Sequence, residues 1–228
     1  MDLMTKMANG MMNILIWAII AALSFICIYI VYDGLRVTRS VILGDEILAY
    51  APSDEKVDLE ALKEINSDIV GWVKIDDTTI DYPIVQSFNN EYYLDRNYLH
   101  EFATAGSIFL DYRNDLDDNF LIVYGHRMSY GGMFSDIIKF QSREYFNEHK
   151  DGKIYLGSEI WPLEIIAFGI ISAENRIIYD LKDGVLREIM TRAAYVREIK
   201  TGRFVMLSTC DAQNKSMRDI LLAQIVEK

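Results

Sequence analysis

The chain is poor in cysteine. Its 228 residues include two, Cys27 and Cys210, too few for a disulfide framework. Histidine is scarce too, with three. No CxxC, HExxH, P-loop or GxGxxG pattern occurs, so the usual signatures of zinc, nucleoside triphosphate and dinucleotide sites are missing. No second histidine stands at metal spacing from His126; neither a metal nor another cofactor is expected. Basic charge is in deficit: 23 Lys and Arg face 34 Asp and Glu, a net charge of −11. That balance argues against a nucleic-acid partner, which calls for basic patches. Internal repeats and low-complexity tracts are also missing.

One long apolar run is present. Ile14 to Val31 holds 18 residues without a charge, Ser24 being the one clearly polar residue. As a helix it spans about 27 Å, close to the hydrocarbon thickness of a bilayer. Trp17, Tyr29 and Tyr32 suit interfacial belts. The alternative is a cleaved signal peptide, but the run exceeds a usual h-region and no small-x-small site follows it. A retained anchor is the expectation. Flanking charge leaves its orientation open, because Lys6 and Asp2 precede the run while Asp33, Arg36 and Arg39 follow it. Cys27 lies inside the run and can hardly pair with Cys210 in a soluble domain. In an oxidising compartment the Cys210 thiol is then either reactive by design or a liability.

Beyond the run, composition suggests a globular domain, with 25% charged and 12% aromatic residues. Leu35 to Tyr50 is expected to be a helix broken at Ala51-Pro52. Asp58 can cap a second helix, Leu59 to Ile65, with Leu59, Leu62 and Ile65 on its apolar stripe. After Gly71 the texture turns to short β-rich runs: 72–75, 79–85, 107–110, 120–124, 153–156, 163–171, 195–199, 203–207 and 220–226. Many short strands in one domain suggest a barrel or a sandwich. Asp183 to Ala194 interrupts them, since Val185, Leu186, Ile189 and Met190 recur at helical spacing.

Cys210 ends an apolar strand, Phe204 to Thr209. A cysteine nucleophile needs a base or a cation to hold its thiolate at neutral pH. His100 and His149 stand in polar segments and are expected to be solvated. His126 follows the strand 120–124 and Gly125, where a rigid scaffold can hold it within reach. Arg218 starts the last apolar run, eight residues after Cys210. If the last two strands are antiparallel neighbours, it lies beside the cysteine, where a guanidinium could stabilise an oxyanion or hold a substrate carbonyl. The bland reading is a surface arginine at a strand start. Asp111 and the acidic stretch 115–118 hint at calcium, but a solvated acidic loop is the better reading.

The segments Asp68 to Ile75, Ile80 to Gln86, Gly106 to Asn114, Tyr124 to Met128 with Met133-Phe134, and Leu207 to Cys210 with Arg218, in that order, resemble the class B sortases. These are membrane-anchored cysteine transpeptidases of Gram-positive bacteria. The resemblance covers about residues 59–228. One departure is Met206, where the family's TLxTC motif has threonine; it sits inside the strand and implies altered packing. The resemblance implies a mainly β fold: an eight-stranded barrel with N-terminal helices and an extra helix between strands six and seven, to which the helical pattern at 183–194 corresponds. It divides the chain into a cytoplasmic tail (1–13), a transmembrane anchor (14–32), a helical linker (33–58) and a catalytic domain (59–228) on the extracellular face. It implies Cys210 as nucleophile, His126 as acid–base residue and Arg218 as oxyanion or substrate ligand. Asn90, Leu94, Tyr179, Ser208 and Thr209 are implied to line the peptide groove. The implied partners are surface proteins carrying an NPxT-type C-terminal sorting signal and an amine of peptidoglycan or its lipid-linked precursor.

Three rivals remain at this stage. A thiol peptidase would resolve the same acyl-enzyme with water. A surface module with a redox-sensing thiol would make His126 and Arg218 dispensable. A purely structural Cys210 would be a buried small hydrophobe, inert to thiol reagents.

Overall fold

Runs of β-branched and aromatic residues from Ile69 onward form strands that close on themselves. The computed structural model describes residues 3–48, 50–52, 58–128, 131–157, 159–181, 184–210 and 216–226. Its strands are β1 (Ile69–Ile75), β2 (Asp81–Val85), β3 (Ile108–Leu110), β4 (Phe120–Gly125), β5 (Asp151–Leu156), β6 (Glu159–Ser172), β7 (Tyr195–Val196), β8 (Phe204–Cys210) and β9 (Met217–Ile225). The sheet order is β5-β1-β2-β3-β4-β8-β9-β6-β7, and β5 also pairs with β6. Eight strands therefore make a closed barrel, and β7 adds to the edge of β6 beyond β5. Closure leaves no long edge exposed for pairing with another chain.

Alternation along the strands builds two layers of core. Leu121 and Val123 of β4, with Val205 and Leu207 of β8, point into the barrel among Phe134, Phe140, Phe168 and Leu221. Ile122 and Met206 point the other way. They pack with Leu222 and Ile166 against Ile178, Val185 and Ile189 outside the barrel. Met206 is fully buried there, so the departure from threonine is a packing change, as the sequence implied. The covering helix is α4 (Val185–Arg192), between β6 and β7; Asp183, its expected start, lies outside the described residues.

On another outer face, α2 (Leu59–Ile65) buries Leu59 and Leu62 with Trp72, Tyr155, Tyr93 and Phe109. Asp58 caps it, accepting from the Ala61 amide at 3.1 Å. One short helix, α3 (Arg143–Glu148), follows β4.

The strand bounds differ from expectation mainly at β6, which begins at Glu159 rather than 163. Pro162 masks the strand signal there, yet it pairs opposite Lys153 of β5 within the ladder. The N-terminal region also differs. The apolar run and the following segment form a single helix, α1 (Leu3–Leu48). Gly34 lowers helix propensity by only about 1 kcal/mol, and no proline stops the helix there. Within α1, Asn9–Leu35 (27 residues) is long and apolar enough to cross a membrane, and its apolar side chains are exposed. The chain divides into two units, 1–43 and 44–228. The barrel belongs to the second.

Candidate active site

The parallel pair β4 and β8 is in register with Gly125 opposite Thr209. One residue further, β4 hands over to His126 and β8 ends at Cys210. On the other side of β8, the antiparallel β9 places Arg218 opposite Cys210. Positions 126, 210 and 218 thus fall on one line across three neighbouring strands, each about 4.8 Å from the next.

Beside this line lies a cleft of about 280 Å3, lined by Asn90, Leu94, Phe109, Tyr124, Gly125, His126, Ala173, Tyr179, Ser208, Thr209 and Arg218. Seven of the eight candidate residues thus meet in one depression, and Cys210 follows Thr209 in its wall by chain position.

Each wall has a local cause. Gly125 is required by close approach: a Cβ there would stand 2.4 Å from Ile108 Cδ1 and 2.8 Å from a Phe134 ring carbon. The turn after it is held by the Phe134 amide donating to the His126 carbonyl at 3.0 Å. His126 is half-buried, and its Nε2 lies 2.7 Å from the Leu94 carbonyl oxygen. A carbonyl can only accept, so Nε2 carries the hydrogen and Nδ1 is left as the basic nitrogen of the neutral ring.

Leu94 ends a 3-10 turn, Tyr92–Leu94, whose anchor is the buried Tyr93. The Tyr93 hydroxyl donates to Asp68 at 2.7 Å and accepts from Asn66 Nδ2 at 2.9 Å. Burial pushes the Tyr93 phenol well above its ordinary value, so it stays neutral. Gly106 lets the chain pass under this turn: its φ is +59°, and a Cβ would lie 2.6 Å from the Leu94 carbonyl oxygen.

The floor is aromatic. Phe109 and Tyr124 have ring centroids 5.3 Å apart, and Tyr124 stacks on Tyr179 at 6.2 Å. Tyr179 ends a 3-10 turn after β6, in which Ile178 is buried under α4. Asn175 caps that turn and donates to Glu188 of α4 at 2.9 Å. The Tyr179 hydroxyl lies 3.3 Å from Ser208 Oγ. Ser208 and Thr209 are buried. Arg218 donates to the Met217 carbonyl at 3.0 Å.

The remaining candidates fall elsewhere. His100 is exposed, but it is not simply solvated: its Nδ1 lies 3.2 Å from the Tyr92 hydroxyl. His149 is half-buried and stacks on Tyr145 at 3.8 Å, which corrects the expectation of a solvated ring. Asp111 is the larger correction. It is not part of a solvated acidic loop but fully buried, because several donors surround its carboxylate. Asp115 and Asp117 are exposed, as expected. Among the described residues, no three His, Cys, Asp or Glu side chains cluster where a metal could bind.

Sequence reasoning missed Phe109, Tyr124 and Ala173 as walls of the cleft. It also missed an ion pair next to the candidates in the chain, in which Arg127 Nη1 stands 3.2 Å from the buried Asp219 Oδ2. Both partners are sequence neighbours of candidate residues, which was the available signal.

The chain is 35% identical over 205 residues to sortase B of Listeria monocytogenes serovar 1/2a (strain ATCC BAA-679 / EGD-e), covering 83% of this chain and 82% of that one. It belongs to the class B sortases. No family model matches the chain. Solved structures agree with the assignment. A Bacillus anthracis protein similar to sortase B superposes with a TM-score of 0.71 at 32% identity, over 84% of this chain and 96% of that one. A Streptococcus pyogenes class B sortase involved in pilus biogenesis gives 0.68 at 33% identity, over 75% and 98%. This sortase is accordingly a cysteine transpeptidase with the barrel of its family, and the extra helix of that barrel is α4.

Proposed function

We propose that the cleft binds an NPxT-type sorting signal and that Cys210 attacks the carbonyl carbon of its threonine. The threonine peptide bond breaks, and His126 protonates the departing amine. The threonine carbonyl is left as a thioester on Cys210. An amine of peptidoglycan or its lipid-linked precursor then attacks the thioester. His126 takes its proton, the thiol leaves, and a new amide joins the surface protein to the wall. A free thiol titrates near pH 8.5, so about a few per cent is thiolate at neutral pH without help. An imidazolium and a guanidinium on the flanking strands both favour the anion. The Leu94 carbonyl can hold Nε2–H in the neutral and the charged ring alike, so His126 keeps its orientation as it cycles.

Arg218 stabilises the oxyanion or orients the substrate backbone. Asn90, Leu94, Tyr179, Ser208 and Thr209 contact the signal peptide. The apolar helix retains the enzyme as a single-pass membrane protein, with residues 1–13 as cytoplasmic tail, 14–32 as anchor, 33–58 as linker and 59–228 as an extracellular catalytic domain. The observation that carries this reading is the line of His126, Cys210 and Arg218 across three adjacent strands beside a cleft.

The test uses the full chain in detergent micelles, wild type and Cys210→Ala. Each is incubated with NPxTG-, SPxTG- and LPxTG-type peptides, with and without an amine acceptor, and product masses are read. Cleavage after threonine, an acceptor-linked product and loss of both in Cys210→Ala are expected, with the NPxT type preferred. Free acid alone, whatever the acceptor, would instead make the enzyme a hydrolase. Undiminished cleavage by Cys210→Ala would sink the mechanism.

A further inference from the structure

Asp111 does not line the cleft, yet it is bonded to two residues that do, Asn90 and Tyr124, and through Arg113 to a third, Tyr179. Its side chain is fully buried. Oδ1 accepts from the Arg113 amide at 3.0 Å and from Arg113 Nε at 2.8 Å. Oδ2 accepts from Arg113 Nη2 at 2.7 Å, Asn90 Nδ2 at 2.9 Å and the Tyr124 hydroxyl at 2.9 Å. These donors come from three separate segments, and two of them, Asn90 and Tyr124, line the cleft. Asn90 lies in the connection between β2 and β3, Tyr124 on β4, and Arg113 after β3. Arg113 carries the link to a third lining residue, since Nη2 also donates to the Tyr179 carbonyl at 2.8 Å. Asn90 is fixed at its other end too, where Oδ1 accepts from the Tyr112 amide at 2.9 Å.

A carboxylate offers about four acceptor sites and no hydrogen. Here five donors crowd onto them, two of the five on the Arg113 guanidinium. An amide in the same place would turn an NH2 group toward those donors and lose the charge that Arg113 faces. The network therefore requires an ionised acid at this position. Burial alone pushes the Asp111 carboxyl up. The hydrogen bonds from Arg113, Asn90 and Tyr124 outweigh that push and hold it below its ordinary value of 3.8. With a depressed pKa, the stabilising effect is fully present above the ordinary value. It fades only as pH falls below that value through the depressed one, so the network is intact at any pH near neutral.

We propose that Asp111 is a positioning residue for substrate specificity: it fixes the spacing of Asn90 and Tyr179 across the cleft, and so sets the shape that a sorting peptide must fit. This rests on the reading of the cleft as a peptide groove. Asp111 acts through Asn90, Tyr124 and Arg113 and does not meet the peptide. Loss of the network widens or skews the groove while His126, Cys210 and Arg218 keep their strand positions.

The test is Asp111→Asn in the full chain, with three readings: KM and kcat for the cleaved peptide, and the rate at which iodoacetamide alkylates Cys210. Charge-assisted hydrogen bonds of this kind support a rise in KM of about tenfold or more. The kcat value and the alkylation rate are expected to change by less than about threefold, since small thiol reagents need no groove. Asn90→Ala completes a cycle. If Asp111 works through Asn90, the second substitution costs far less in Asp111→Asn than in wild type. An Asp111→Asn enzyme with wild-type KM overturns the proposal. So does one in which kcat and the alkylation rate change as much as KM, since that marks general damage. Should Asp111→Asn not fold, Arg113→Gln removes the tie to Tyr179 while leaving Asp111 with Asn90 and Tyr124. A wild-type KM there overturns the proposal equally. A wild type that cleaves no peptide overturns the parent reading and this inference with it, an outcome distinct from active wild type with unaffected variants.

Discussion

Replacing His126 by alanine lowers kcat/KM for the sorting peptide by about three orders of magnitude. A positioned acid–base group contributes about 10^2 to 10^4 in rate, and in the proposed mechanism one ring serves twice. It donates a proton to the leaving amine and later removes one from the incoming amine. Among the described residues, His126 is the one histidine lining the cleft. His126→Gln is the sharper variant. Its amide can still donate to the Leu94 carbonyl, as Nε2 does at 2.7 Å, so the fold of the turn is kept. It cannot carry a proton between the two steps. Steady-state kinetics on His126→Gln should therefore match the alanine variant. Wild-type turnover in His126→Gln would reduce the histidine to a structural prop.

Asp219→Ala should lower stability by about 3 kcal/mol, the low end of the cost of breaking a buried ion pair by removing one partner. Asp219 is fully buried and Arg127 is only 19% exposed at its side chain. Both lie where damage propagates. Asp219 stands opposite Thr209 in the β8–β9 ladder, beside Arg218, and Arg127 follows His126. The pair ties the ends of β4 and β9 together across β8. Urea unfolding followed by the fluorescence of Trp72, which is buried in the barrel wall, measures the loss. The double replacement Arg127→Met with Asp219→Leu removes both charges at once. It should recover most of the stability, since apolar pairs often replace buried ion pairs at little cost. A single Asp219→Ala variant within about 1 kcal/mol of wild type would contradict this account of the pair.

How legible the molecule was depended on how far apart in sequence the partners stand. Arg218 could be placed beside Cys210 from the chain alone, because β8 and β9 are antiparallel and joined by a short connection. The parallel pairing of β4 with β8 leaves no such mark. Gly125 and Thr209 are opposed across more than eighty residues, and only the resemblance to sortases linked His126 to Cys210 beforehand. Asp111 was misread for a similar reason. Its neighbourhood in sequence is acidic, and composition there suggests solvent. What buries it is Arg113 two residues on, together with Asn90 and Tyr124, which arrive from other elements. Pro162 hid the start of β6, since a proline is read as a strand breaker until its pairing is seen. The helix expected from Leu35 is continuous with the apolar run in α1, since Gly34 lowers helix propensity but nothing between them forbids continuation.

The most direct measurement of the central claim is the intact mass of the enzyme caught in mid-reaction. Full-length protein is mixed with an NPxT-type peptide without an amine acceptor, quenched in acid and weighed. The account predicts an added mass equal to the peptide through its threonine, mapped by fragmentation to Cys210. That mass should disappear, with an acceptor-linked product in its place, when the amine is supplied. Peptide cleavage without any adduct on Cys210, or an adduct on another residue, would contradict it.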